Sequence, residues 1–205
     1  MNFSLENPVI VIIALVVSIT VHEMMHAFTA HWLGDDTAHE QGRVSLNPLR
    51  HIDPFLTIVL PVMTYLLVGI PLLAAKPVPF NPERVKFGEF GAALVGVAGP
   101  LTNLALALAA GIFLRGFGAD IGLTLFNFLK VFTQLNVALF VFNMIPIPPL
   151  DGSRLLYAFA PEPIQEVMAR MERFGILIVF ILLLSSSAFL TVLTNINQAV
   201  LRFIV

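Results

Sequence analysis

Residues 7–34, "NPVIVIIALVVSITVHEMMHAFTAHWLG", decide the fold of this chain. The first half is valine, isoleucine, leucine and alanine without a charge. The second half keeps the same apolar character yet carries His22, Glu23 and His26. Asn7 and Pro8 make a cap and first-turn pair and Gly34 a stop, so the pattern predicts one helix between them. At about 1.5 Å per residue that helix is longer than the roughly 30 Å of hydrocarbon in a bilayer. Ionisable groups at such a depth are costly, and they persist where they are paired or functional.

The rest of the chain extends this reading. Its 205 residues are 58% hydrophobic and 12% charged, with a mean hydropathy of +0.90. A soluble domain would be about 45–50% apolar and about 25% charged. Apolar runs recur at residues 9–20, 55–75, 90–114, 131–145 and 175–193, so the chain reads as an integral membrane protein lying in a lipid bilayer. A net charge of −2 without a basic stripe argues against a nucleic-acid partner. The absence of cysteine excludes disulfides and thiolate metal sites. The first segment has neither a basic leader nor a small-residue cleavage site, and is read as a retained helix.

Breaks in these runs give the organisation. The run 55–75 is interrupted by Pro61, Gly69 and Pro71, and "KPVPFNPERVKFGEF" after it reads as loop or extended chain. A helix over about residues 88–114 contains "GVAGPLTN"; another, from about residue 123 to 142, is stopped by "NMIPIPPLDG". Residues 161–173 form a polar amphipathic patch, and 185–187 a weak point in the last apolar run. The expected architecture is an all-α polytopic membrane protein of about four to six membrane segments. A short re-entrant, β-like hairpin is expected between the first two core helices. Residues 1–205 read as a single domain, with its core at about 8–158 and a C-terminal helical region at about 163–205.

Basic residues collect on the cytoplasmic side of membranes. If residues 55–75 dip in and return, the loops 35–87 and 152–174 share one face and hold eight Lys and Arg, against Arg115 and Lys130 opposite. A full crossing weakens that bias. The re-entrant reading is therefore preferred over an extra helix, and it makes the first helix parallel to the one ending near Asn143.

His22, Glu23 and His26 fit H-E-x-x-H. Residues four apart share a helix face, so both imidazoles can reach one metal ion, with Glu23 beside it as a general base. Outside a membrane the same pentapeptide is more often a polar seam between helices. A catalytic zinc site takes three protein ligands, so a third is needed. His31 lies about 140° round the helix from His26; His39, Glu40, His51 and Asp53 have ordinary explanations as loop residues. Asp151 stands out, because it follows a membrane helix that Pro146, Pro148 and Pro149 must break. Broken helices at that depth line protein cavities. The plain alternative is an Asp-Gly turn at a helix exit.

Together these features resemble the site-2 protease family of intramembrane zinc metalloproteases, in a compact form without a PDZ domain. The resemblance runs from about residue 16 to 152, through "HEMMHAFTAHWLGDDTA", "GRVSLNPLRHIDP", "AKPVPFNP", "GVAGPLTN" and "FNMIPIPPLDG". It implies one Zn2+ per chain, held by His22, His26 and Asp151, with Glu23 as the catalytic base. It also implies a substrate-binding role for Asn143 and, on the loop side, for His51; Gly99, Pro100 and Asn103 are taken as structural. The implied activity is cleavage of transmembrane segments of membrane protein substrates in regulated intramembrane proteolysis. The implied setting is a bacterial cytoplasmic membrane, with the site toward the cytoplasm. The alternatives are a non-catalytic membrane metal-binding scaffold or transporter component, and a zinc hydrolase acting on something other than a peptide.

Overall fold

A computed structural model describes residues 7–53, 59, 63 and 76–205. The described residues form helices and connecting turns, with no strand among them. Helix α1 spans Pro8–Trp32 and α2 spans Thr37–Glu40; a single 3-10 turn follows at Pro48–Arg50. Then come α3 (Glu89–Phe117), α4 (Leu123–Asn143), α5 (Gly152–Phe159), α6 (Glu162–Glu172), α7 (Gly175–Ser185) and α8 (Ser187–Ile204).

Helices α1, α3 and α4 are each long and apolar enough to cross a membrane, and the bent pair α7–α8 makes a fourth candidate. The β-branched residues that fill α1 are poor helix formers in water. In hydrocarbon the backbone has no outside partner, and the helix satisfies it internally. Its ends follow the sequence signals: Asn7 accepts the Val9 N–H through its side chain at 3.1 Å, Leu33 closes the last turn, and Gly34 turns away at φ +104°. The break expected within residues 185–187 lies at Ser186, whose hydroxyl oxygen caps α8 by accepting the Phe189 N–H at 3.1 Å. The two halves meet there at 89°.

Contacts between helices fix their directions. Ser18 and His26 of α1 meet Asn103 and Val95 of α3 in descending order, so these two helices are antiparallel. Ala14 clusters with Phe132 and Ser18 bonds Asn136, so α1 and α4 run parallel. Helix α3 sits centrally, against α1, α4 and α5. Buried Ala14, Ala27, Ala30, Ala92, Ala93 and Gly96 let the helices approach closely, the packing expected where lipid gives no hydrophobic drive to associate. Helix α8 closes the bundle through Ile204, packed with Ala107, Val137 and Val141, while Arg115 donates to the carbonyls of Phe203 and Val205 at its C-terminus.

The chain leaves α1 and re-enters α3 on one side of the bundle. Lys86 N–H donates to the Leu33 carbonyl at 2.8 Å, as the preferred topology requires. Residues 54–58, 60–62 and 64–75, and with them the hairpin expected there, lie outside the described residues. Asp35 ties the junction. Its buried carboxylate accepts the Thr37 hydroxyl at 2.5 Å, the Thr37 N–H at 3.1 Å and the Asn81 N–H at 2.6 Å.

Burial alone would raise the Asp35 carboxyl; the hydrogen bonds from Thr37 and Asn81 and the nearby Arg84 charge outweigh it and hold the group below the usual carboxylate range. A depressed folded pKa gives stability that is present above the unfolded value, about 3.9, and is lost as pH falls through the folded one. Asp35→Ala is expected to cost about 2–3 kcal/mol near neutral pH. In detergent-solubilised protein, its thermal unfolding curve should draw closer to the wild-type curve as pH is lowered from about 5 to 3.

Candidate metal centre

Two imidazoles and one carboxylate converge in the interior. His22 and His26, one turn apart on the buried face of α1, hold their Nε2 atoms 3.0 Å from each other. Asp151 Oδ2 lies 3.2 Å from His22 Nε2 and 3.4 Å from His26 Nε2. The three candidate ligands are thus brought together from the first helix and the turn between α4 and α5. That turn exists because α4 stops at Asn143 and the prolines forbid its continuation, so Asp151 emerges as the N-cap of α5. Gly96 lets α5 settle against α3: a Cβ there would stand 2.8 Å from the Arg154 Cβ and 3.1 Å from the Asp151 carbonyl.

The donor set fits zinc. Four-coordinate zinc with ligand distances of about 2.1 Å has ligand–ligand edges of about 3.4 Å, and the three edges here form one face of such a tetrahedron. The imidazoles are also oriented for it. His22 Nδ1–H donates to Asn103 Oδ1 at 2.5 Å, and His26 Nδ1–H donates to the Val95 carbonyl at 2.7 Å. With the proton on Nδ1, each Nε2 keeps its lone pair for a cation.

Gly99 forms a wall beside the metal-facing edges of both rings. A Cβ at this position would collide with His26 Nε2 and lie 2.7 Å from His22 Nε2. The sequence marks Gly99 and Asn103 only as packing residues; the structure puts one against the metal-facing nitrogens and the other on a ligand's far side. Asn136 was not visible as a site residue at all. It is fully buried and bonds Asn103, Ser18 and the Phe132 carbonyl.

Glu23 is half-buried, and its electrostatic neighbours are His26, His22, Asp151 and Arg43. Arg43 is a further residue that the sequence disguises as a loop charge. It is buried and donates to the carbonyls of Arg50, Lys76 and Pro77, the last at 3.1 Å. Asn143 closes α4 by donating from Nδ2 to the Leu139 carbonyl at 3.0 Å. His51 is buried beneath its loop and donates from Nε2 to the Ser45 carbonyl at 2.7 Å; burial holds its imidazole below the ordinary pKa. His31 stays away from the centre. It bonds Asp36 at 2.5 Å and stacks on His39, with the ring centroids 4.4 Å apart, in a separate exposed group. The two ring planes differ by only 15°, so their lone pairs lie in nearly parallel planes and do not converge.

Gly99→Ala should place a methyl group among the ring nitrogens and lower metal affinity at least tenfold, to be read as metal content after dialysis against a chelator. Full retention of metal would show that the wall is not where the geometry puts it.

Comparison with known proteins bears on the family of the chain. The model for Peptidase family M50 matches residues 116–186, which include Asp151. "Putative zinc metalloprotease YwhC" of Bacillus subtilis (strain 168) is 38% identical over 179 residues, which is 83% of this chain and 78% of that protein. "Putative zinc metalloprotease Rip2" of Mycolicibacterium smegmatis is 31% identical over 180 residues, 86% of this chain and 67% of its own. MJ0611 of Methanocaldococcus jannaschii, also so described, is 30% identical over 156 residues, 76% of this chain and 73% of its own. No solved structure matches. An apolar helical bundle whose H-E-x-x-H helix meets an aspartate from a proline-broken turn, with relatives aligned over most of its length, belongs to peptidase family M50, the site-2 protease family.

Proposed function

We propose that the chain is a zinc-dependent intramembrane endopeptidase that cleaves transmembrane segments of membrane protein substrates in regulated intramembrane proteolysis. The observation that carries this reading is the convergence of His22 Nε2, His26 Nε2 and Asp151 Oδ2 inside a bundle of membrane-length helices, with Glu23 next in sequence to a ligand. Family membership supports the reaction class, and the position of the site among membrane-length helices supports the substrate class.

His22, His26 and Asp151 would hold the ion. A bound zinc supplies Lewis acidity toward a peptide carbonyl and toward water. Glu23 takes the proton of the attacking water and returns it to the leaving amine, the work of a general acid–base group worth about 10²–10⁴ in rate. The centre is open unevenly, with the Asp151 side chain 24% exposed against 8% and 9% for His22 and His26. Water and substrate therefore approach from the carboxylate side. Asn143 commits one N–H to Leu139 and offers its second to the carbonyl oxygen of the bound peptide, where charge develops. A helical substrate must unwind first, because its carbonyls are engaged internally. His51 acts at one remove, by bracing the loop from Ser45 to its own position.

The face where Leu33 meets Lys86 also carries Arg43, Lys76 and Arg84, and we assign it to the cytoplasmic side of a bacterial membrane. The domain is read as one catalytic unit.

Glu23→Gln should lower cleavage of a transmembrane model substrate in proteoliposomes by about 10²–10⁴ with zinc content unchanged. Asp151→Ala should lose both cleavage and zinc. If Glu23→Gln cleaves at the wild-type rate, the protein is not this protease. Zinc binding in a wild-type protein that cuts no membrane peptide would instead favour a metal-binding scaffold.

A further inference from the structure

A chain of buried amides runs behind the metal centre and crosses three helices. Asn103 of α3 accepts from His22 Nδ1–H through Oδ1, and donates from Nδ2 to Asn136 Oδ1 of α4 at 2.8 Å. Asn136 donates from Nδ2 to Ser18 Oγ and to the Phe132 carbonyl, both at 2.8 Å; Ser18 Oγ–H donates in turn to the Ala14 carbonyl at 2.7 Å. Ser18, Asn103 and Asn136 have no exposed surface.

An amide has a donating end and an accepting end of nearly the same shape, so something must decide which end faces His22. If Asn103 presented Nδ2, the His22 proton would move to Nε2 and occupy the lone pair a metal needs. The backbone guides Asn103 only weakly among the described residues, its Nδ2 donating to the Ser18 carbonyl at a long 3.4 Å against 2.8 Å for Asn136 Oδ1, so it does not fix the amide firmly by itself. Asn136 is held more firmly, because the Phe132 carbonyl only accepts. That carbonyl pins Nδ2 of Asn136, turns its Oδ1 toward Asn103, and so turns Asn103 Oδ1 toward the imidazole. His26 needs no such relay, being oriented directly by the Val95 carbonyl.

We propose that Asn136 is a positioning residue that sets the tautomer of His22 through Asn103, although it touches neither the imidazole's metal-facing nitrogen nor the ion. The proposal rests on the metal centre described above. It separates Asn136 from an ordinary packing residue, because what matters is an acceptor facing Asn103 and not the volume of the side chain. Asn136→Leu keeps the volume and removes the acceptor. Asn136→Asp keeps an acceptor toward Asn103 and, when protonated, a donor toward the Phe132 carbonyl. In Asn103→Asp the group beside His22 accepts at either end, so its orientation no longer needs Asn136.

The test uses full-length apo protein in detergent, with zinc titrated against a chromophoric chelator, and the ¹⁵N spectrum of histidine-labelled apo protein. The wild-type spectrum should show His22 protonated at Nδ1, and Asn136→Leu should show a mixture of tautomers. Zinc affinity should fall about 10–100-fold in Asn136→Leu. It should stay within a few-fold of wild type in Asn136→Asp, and the Asn103→Asp/Asn136→Leu double variant should recover most of the loss. The proposal is overturned if apo His22 is protonated at Nε2 in the wild type, a result that stands whether or not any variant folds. It is overturned equally if Asn136→Leu binds zinc within twofold of wild type, or if Asn136→Asp loses as much affinity as Asn136→Leu. Equal zinc affinity in wild type and His22→Ala would instead sink the metal centre itself.

Discussion

The fold depends on the cost of leaving a polar group unpaired in hydrocarbon. An amide without a partner there costs several kcal/mol. Asn103 and Asn136 make their bonds to each other and to Ser18 only when α1, α3 and α4 stand at one mutual depth and rotation. Apolar packing alone would tolerate slippage between helices, since one leucine resembles another and lipid resembles both. The amides do not tolerate it. Fixing the helices fixes His22 and His26 with them, so the interaction that registers the bundle also aligns the site.

Much of this was legible in the sequence, for identifiable reasons. His22 and His26 could be read as a pair because four residues make about one helical turn, and Asp151 because three prolines leave a membrane helix no way to continue. The parallel course of α1 and α4 followed from the distribution of lysine and arginine, and the meeting of Leu33 with Lys86 agrees with it. The cap at Asn7 and the break at Ser186 were local signals and were found locally.

What escaped depends on pairing across helices. Asn103 and Asn136 are 33 residues apart, and nothing in either neighbourhood names the other. An asparagine in an apolar helix announces that a partner exists without saying which. Arg43 counted only among the basic residues of the loop 35–87, because its burial comes from carbonyls supplied by residues 50, 76 and 77. Gly99 was read as a packing glycine, which it is; that it packs against two imidazoles follows only once α1 and α3 are docked.

The uneven exposure of the three converging side chains gives the centre a front and a back. Its back is sealed by Gly99, Asn103 and the Val95 carbonyl, while its front is the rim at Asp151. Among the described residues, and under the proposed function, loading of the ion, its extraction by a chelator and the arrival of a peptide backbone would share that rim. A peptide lodged there would shelter what lies behind it, and metal exchange would become a clock for how long the peptide stays.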